Sequence, residues 1–247
     1  MTRPLVLYHV SDIHFGAEDR AAHDWFAAEV ARERPDAVIC TGDVTMRGTR
    51  REFDAAAQWL GGLAAPVRVE PGNHDMPYYH HMLARLTRTF ERFDAMQRAV
   101  EVVIDLPGVA LVPLRTVTAA QWRLNWSKGR IAPAALDHAL ARLAAAEGHA
   151  VRIALCHHPL VEADTEGTAS TRGGKQALAA LARGGAQIVL SGHVHDPFDI
   201  TLRPDGLPIR MIGAGTLSQR LRSTPPSYNR LTIAGGQVTV DLRLAKE

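Results

Sequence analysis

The stretch VRVEPGNHD, residues 67–75, carries the pattern on which the fold turns. A short apolar run reaches a Pro-Gly turn and ends in Asn73, His74 and Asp75, with Pro77 two residues further on. Polar groups packed into a turn directly after a buried-looking strand are costly unless something binds them. The same arrangement recurs at four other places. LVLYHVSDIH (5–14) ends in Asp12 and His14, and DAVICTGD (36–43) ends in Asp43. VRIALCHHP (151–159) ends in His157 and His158, and AQIVLSGHVHD (186–196) ends in His193, His195 and Asp196.

Helical patterns lie between most of these runs. Ala22, Phe26 and Val30 repeat every four residues until Pro35 stops the run. Phe53, Ala56, Ala57 and Leu60 form a second apolar face, closed by Gly61 and Gly62. Leu136, Leu140 and Leu143 form a third, opened by Pro133 and closed by Gly148, and residues 174–183 form a fourth between two glycines. Strand and helix in alternation mean right-handed crossovers and parallel strands, hence an α/β core. The tail departs from this pattern. YNRLTIAGGQVTVDLRL (228–244) alternates on both sides of Gly235-Gly236, which predicts an antiparallel hairpin. Residues 99–114 read as another strand pair, turning at Pro107-Gly108. With no internal repeat and no long linker, residues 1–247 read as one domain.

Composition narrows the function classes. The chain has 247 residues, 46% of them hydrophobic, and a formal net charge of +2 with both signs interspersed. That balance gives no support to a nucleic-acid or membrane-surface protein. Cys40 and Cys156 sit at the ends of apolar runs and read as buried thiols in a reducing compartment. The N-terminal run of six apolar-rich residues is too short for a secretion signal, and no run approaches the ~20 residues that span a bilayer. The expectation is a cytoplasmic protein.

In an α/β sheet the carboxyl ends of parallel strands form the crevice where ligands bind. Five strand ends of one orientation would therefore bring their Asp, His and Asn side chains together. These residue types suit a hard-to-borderline divalent cation. Seven candidate ligands, Asp12, His14, Asp43, Asn73, His157, His193 and His195, exceed what one tetrahedral zinc takes, whereas two cations sharing a carboxylate use them all. Two divalent ions and two aspartates leave the site at about +2, or about +1 with a bridging hydroxide, which suits a phosphate-bearing anion.

SDIHFG, TGDV, PGNHD, CHHP and SGHVH follow one another in the order and rough spacing of the calcineurin-like metallophosphoesterase superfamily, which the chain resembles over positions 11 to 195. Within it, GDVTMRGTRREF, GRIAPAALDHALARL and AGTLSQRLRSTPPSYNRLTI are loosely similar to the bacterial class III cyclic-nucleotide and glycerophosphodiester phosphodiesterase group. The resemblance implies a four-layer αββα sandwich with two mixed β-sheets. It implies that Asp12, His14 and His195 bind one metal, Asn73, His157 and His193 a second, and that Asp43 bridges. Iron, manganese and zinc all fit. His157, the first His of the His-His-Pro, is the expected ligand, with His158 in the pocket wall.

In the expected reaction the metals generate a hydroxide that attacks phosphorus in line with the leaving oxygen. His74 then protonates or hydrogen-bonds that oxygen, and Asp75 orients the His74 ring and raises its pKa, or caps a helix starting near Pro77. The expected substrate is a small phosphodiester. A phosphomonoesterase, a pyrophosphatase, a nuclease or a non-catalytic scaffold of the same fold are the alternatives. Arg47, Arg115, Arg172, Lys175 and Arg220 are candidates to meet the phosphate, and Trp122 and Trp126 to stack a base or, at helical spacing, to pack on the core. STRGGKQ (170–176) lacks the first glycine and the Ser/Thr of a phosphate loop and is not read as one. An apolar surface on residues 99–126 would support a homodimer.

Overall fold

The computed structural model describes residues 3–78, 82–119 and 127–245; Trp122 and Trp126 lie outside them. The first apolar run forms β1 (Leu5–Val10), followed by α1 (Arg20–Glu33), β2 (Ala37–Cys40), α2 (Arg50–Gly61) and β3 (Val67–Val69). β1 pairs in parallel with β2, and β2 with β3, so all three run the same way. α1 and α2 each begin where a side chain caps them. Asp19 accepts from the Ala22 N–H ahead of α1, and Thr49 and Glu52 form a reciprocal capping box ahead of α2.

The chain continues through α3 (Met82–Thr87), α4 (Glu91–Val100), β4 (Val109–Pro113), α5 (Pro133–Ala145), β5 (Val151–Leu155), α6 (Gly174–Arg183) and β6 (Ile188–Ser191). It ends with β7 (Phe198–Leu202), β8 (Ile209–Gly213), β9 (Ser227–Ala234) and β10 (Gln237–Leu244). Two mixed five-stranded sheets result, ordered β10-β9-β1-β2-β3 and β4-β5-β6-β8-β7. The predicted hairpin is β9–β10. Gly235 and Gly236 both take positive φ at its turn, 57° and 77°, as a tight two-residue hairpin loop requires.

Three apolar clusters produce the four layers. Side chains alternate along a strand, so β1 sends Tyr8 and Val10 to one face and Leu7 to the other. Tyr8 and Val10 pack with Phe26 of α1, Phe53 and Leu60 of α2 and Phe93 of α4. Leu7, Ile39 and Leu231 meet Ile153, Leu155 and Leu190 of the other sheet between the two β-layers. Leu143 of α5 and Leu181 of α6 cover the far face over Ala154 and Val189. Strands buried on both faces read as continuous apolar runs, which is what makes β2, β5 and β6 visible in the sequence.

Residues 99–114 depart from the expected strand pair. α4 runs to Val100, Glu101 makes a single bridge with Val67 at the edge of the first sheet, and Val103 is 97% exposed. Only β4 is a strand, and it pairs in parallel with β5 at the edge of the second sheet. The two halves of the stretch therefore serve different sheets, and Pro107-Gly108 turns the chain from one to the other. Cys40 and Cys156 are free and buried. Among the described residues, no helix is long and apolar enough to cross a membrane.

Candidate metal centre

The clusters that follow β1, β2, β3, β5 and β6 converge on one point at the carboxyl ends of both sheets. Asp12, His14 and His195 offer ligand atoms within 4.8 Å of one another, and so do Asp12, Asp43 and His157. Crossing loops hold them in register. The Asp12 N–H donates to the Gly42 carbonyl (2.9 Å), the His14 N–H to the Asp43 carbonyl (3.0 Å), and the His193 N–H to Asp12 Oδ2 (2.8 Å). The His74 N–H donates to Asp43 Oδ1 at 2.7 Å.

Five of the seven candidate ligands adopt left-handed backbone: Asp12 (φ 56°), His14 (44°), Asp43 (51°), His193 (72°) and His195 (61°). Each costs about 1 kcal/mol or more in a non-glycine residue. Such conformations persist where the surroundings over-determine them, and here they turn each side chain back from its strand end toward the centre.

The imidazoles are oriented alike. His14 Nδ1 donates to the Thr45 carbonyl (3.1 Å), His157 Nδ1 to the Thr41 carbonyl (2.8 Å) and His195 Nδ1 to the Arg220 carbonyl (2.6 Å). A carbonyl only accepts, so each Nδ1 carries a proton and each Nε2 is the nitrogen turned to the cluster. His14 Nε2 and His195 Nε2 face each other at 3.3 Å, and His195 Nε2 lies 3.1 Å from Asp12 Oδ1. Nearby, His157 Nε2 is 3.3 Å and His14 Nε2 3.9 Å from the same atom, Asp43 Oδ2. Asp12 Oδ1, Asn73 Oδ1 and His157 Nε2 are buried without a hydrogen-bond donor or acceptor. Converging ring nitrogens, two buried carboxylates and buried oxygens without partners are the kind of set that cations among them satisfy. The residues present fit bound metal ions, and nitrogen and oxygen donors in this mixture suit borderline divalent ions.

The electrostatics agree. Burial acts to raise the Asp12 carboxyl, yet His195 and His14 hold it well below the usual carboxylate range. Burial opposes charging of His157, but Asp43 outweighs it and pushes the ring up to about 9. These shifts register the negative potential at Asp12 and Asp43, which a metal cation satisfies as a proton does.

The neighbouring residues separate by their contacts. His158 has both nitrogens engaged, Nδ1 with Thr116 Oγ1 (2.9 Å) and Nε2 with the Ser127 carbonyl (2.8 Å), and its ring lies against His193. Burial and His157 lower it to about 3. It is a neutral wall of the pocket.

His74 is half-buried at the rim. Its Nδ1 donates to the Met46 carbonyl (2.7 Å), and Arg220 Nη1 donates to its Nε2 (3.1 Å). Asp75 does not orient this ring, contrary to expectation. Its carboxylate accepts from the backbone N–H groups of Gly72, Val44 and Thr45 and from Thr45 Oγ1. Asp75 therefore staples the loop after β3 to the loop after β2. The His74 ring is also shifted downward, by burial above all, rather than upward. Residues 77 and 78 are not helical and α3 is described from Met82, so a helix start near Pro77 would fall on residues 79–81, outside the described ones.

Of the five basic residues, Arg47, Arg115, Arg172 and Lys175 are exposed, and Arg115 stacks on Phe90, 4.2 Å from the ring centroid. Arg220 alone of the five is recorded in contact with the cluster. Sequence reasoning missed Asp196 as a brace. Its buried carboxylate accepts from the Glu166 N–H and from the N–H and Oγ of Ser223, tying together the loops that flank the centre. Its place beside His195 in the SGHVHD block was the available signal.

The chain is similar to several known proteins. Over 82 residues the chain is 34% identical to glycerophosphodiester phosphodiesterase GpdQ of Enterobacter lignolyticus, a match covering 29% of this chain and 30% of that one. The matches to the first two curated relatives thus span about a third of their length. A probable cyclic nucleotide phosphodiesterase of Pseudoalteromonas sp. is 24% identical over 212 residues, 81% of this chain and 74% of that one. In backbone, a dimetal phosphatase from Danio rerio superposes with a TM-score of 0.71 over 98% of this chain and 96% of its own, at 13% identity, which is a likeness of fold. The model of the calcineurin-like phosphoesterase family matches residues 5–197, a span that contains all five strand-end clusters, and the chain belongs to that family.

Proposed function

We propose that the protein is a two-metal phosphodiesterase acting on a small diester such as a cyclic nucleotide or a glycerophosphodiester. The observation that carries this reading is the placement of Asp43. One carboxylate oxygen lies 3.9 Å from a His14 nitrogen and 3.3 Å from a His157 nitrogen, between the two halves of the cluster, where a ligand shared by two ions would stand. Asp12, His14 and His195 would hold the first ion, and Asn73, His157 and His193 the second. Iron, manganese and zinc all suit the donor set. Bound ions of this kind activate water and polarise phosphoryl oxygens.

The rest of the chemistry falls to the chain. Nδ1 of His14, His157 and His195 is committed to a carbonyl, so Nε2 is the nitrogen each ring would turn to a metal; at His157, where Asp43 favours the protonated ring, the metal would displace a proton. With Nδ1 of His74 committed to the Met46 carbonyl, Nε2 is the nitrogen that can serve the leaving oxygen. Burial keeps that ring neutral in the free protein. The negative charge of an arriving phosphate favours its protonation, so it is primed by the substrate it serves. The names of the similar proteins, glycerophosphodiester and cyclic nucleotide phosphodiesterases, support a diester substrate. A phosphomonoesterase is the second reading, favoured by the Arg220 cation at His74.

Metal analysis of the purified full chain, with turnover of bis-nitrophenyl phosphate against mono-nitrophenyl phosphate, tests the proposal. Two metal ions per chain and faster diester cleavage are expected. Monoester turnover far above diester turnover would replace the first reading with the second, and absence of both metal and turnover would leave a non-catalytic scaffold.

A further inference from the structure

One cation at the rim has no anionic partner. The guanidinium of Arg220 is half-buried, with Nη1 3.1 Å from His74 Nε2 and 3.8 Å from Met46 Sδ. Arg68, Arg210 and Arg230 each pair with a carboxylate. Among the described residues no ion pair forms at Arg220. A ring nitrogen and a thioether are weak compensation for a partly desolvated guanidinium, whose fork of donors matches carboxylate or phosphate oxygens.

The backbone beneath this side chain is fixed to the metal cluster. The Arg220 carbonyl accepts from His195 Nδ1 at 2.6 Å, and its N–H donates to Ser218 Oγ at 3.3 Å. Three residues on, Asp196 holds Ser223 through both its N–H and its hydroxyl. One residue thus sets a candidate metal ligand through its carbonyl and projects a positive charge toward His74. Such a group is positioned before the substrate arrives, so little ordering is lost on binding.

We propose that Arg220 is the phosphate clamp of this site: its guanidinium donates to a non-bridging oxygen of the bound phosphate ester and of the released phosphate product. This rests on the phosphoesterase reading above and deepens it. A guanidinium attracts a dianion more strongly than a monoanion. Arg220 therefore contributes more to binding a phosphomonoester or inorganic phosphate than a diester, and it sets how strongly the product is retained.

The test uses metal-loaded full-length protein, wild type against Arg220→Ala and Arg220→Lys. Metal content, affinity for inorganic phosphate by calorimetry, and kcat and KM for both nitrophenyl esters are measured. Neither substitution removes the backbone carbonyl that holds His195, so both variants are expected to keep the wild-type metal content. Arg220→Ala is expected to weaken inorganic phosphate by about 10- to 100-fold, the range of one charge-assisted hydrogen-bonding group. Arg220→Lys should recover part of that loss, because it restores the charge but not the fork. In Arg220→Ala the KM should rise more for the monoester than for the diester. Phosphate affinity within twofold of wild type in metal-loaded Arg220→Ala would overturn the clamp. Loss of metal in both variants would also overturn it, and would make Arg220 a support for His195. A wild-type protein with neither metal nor turnover would remove the phosphoesterase reading itself, and the clamp with it.

Discussion

Gly72→Ala is the sharpest perturbation available, because it tests the bridging carboxylate without touching a ligand. Gly72 sits at φ −101° and ψ 179°, a conformation alanine adopts freely, so the substitution carries no backbone strain. A Cβ there would lie 2.7 Å from Asp43 Cγ, with Asp43 Oδ1 and the Asp43 backbone nitrogen nearer still. Ordinary contact begins near 3.4 Å. Asp43 Cγ must therefore retreat by roughly 0.7 Å and Oδ1 by more, with the Asp43 backbone shifting too, against the ±0.2 Å within which metal–ligand distances are held. Overpacking of this kind costs about 1–3 kcal/mol, or roughly 3–10 °C in Tm for a chain of this size. The larger effect should be on metal. We expect Gly72→Ala to lose most of its bound metal and to fall at least ~100-fold in diester turnover while remaining folded by circular dichroism. Gly61→Ala is the control, since a Cβ at that position meets nothing within 4 Å. It should match wild type in metal content and turnover. The experiment reads metal stoichiometry by mass spectrometry and Tm by calorimetry, with and without added manganese or zinc. If Gly72→Ala bound its full metal complement and turned over at the wild-type rate, Asp43 would not be a bridging ligand and the two-metal centre would be wrong.

Other expectations can be checked alongside. His74→Ala should lower turnover of a diester with a poor leaving group by about 10²–10⁴-fold and of a nitrophenyl diester much less, since nitrophenolate leaves without a proton; equal losses on both would remove His74 from the proton-transfer role. His9 is buried against Thr41 and Asn229, and burial, against the pull of Asp12, lowers it to about 3 from its usual 6.5. The unfolded chain therefore binds this proton at a higher pH than the folded one, so stability is lost as pH falls from about 6.5 toward 3, by up to roughly 5 kcal/mol. Urea titrations across that range should show a shallower acid limb in His9→Gln than in wild type, and identical limbs would refute the assignment. Glu70 runs the other way. Burial, only partly offset by Arg68, raises it to about 7 from 4.5, so the folded state keeps its proton longer and stability falls as pH rises through that window. Glu70→Gln should lessen that fall, and an unchanged pH profile would mean that the ion pair with Arg68 keeps Glu70 charged. Chelation should lower Tm and added divalent metal should restore it in a concentration-dependent way, because only the folded chain assembles the seven ligands; a Tm indifferent to both would speak against a resident metal.

Much of this molecule is written locally. β1, β2, β5 and β6 are largely buried on both faces and show as apolar-rich runs, interrupted by His9 in β1 and Arg152 in β5. α1, α2, α5 and α6 show as 3.6-residue periodicity between proline and glycine stops. The ligand set was legible because each cluster follows its strand directly and the residue types agree. Residues 99–114 misled because apolar alternation says that a stretch can be a strand but not which partner it will find; Val67 and Val151, far off in the chain, claimed the two halves. α4 was overlooked although Phe93, Met96 and Val100 lie at helical spacing. The role of Asp75 was misjudged for a similar reason. Sequence adjacency to His74 suggested a contact, whereas the 3-10 turn over Asn73–Asp75 sends the carboxylate to the backbone of the β2 loop.

The sequence by itself therefore determined the α/β alternation, the closing hairpin and the identity of the metal-ligand candidates, since each depends on neighbours within about ten positions along the chain. Only the tertiary structure decided that His14 and His195 face each other through their Nε2 atoms, that Asp43 stands between the two halves of the cluster, and that Arg220 reaches His74. These are meetings between residues as much as 181 positions apart, and side-chain direction at such a meeting is set by loop crossings, left-handed turns and carbonyl partners that no local pattern encodes.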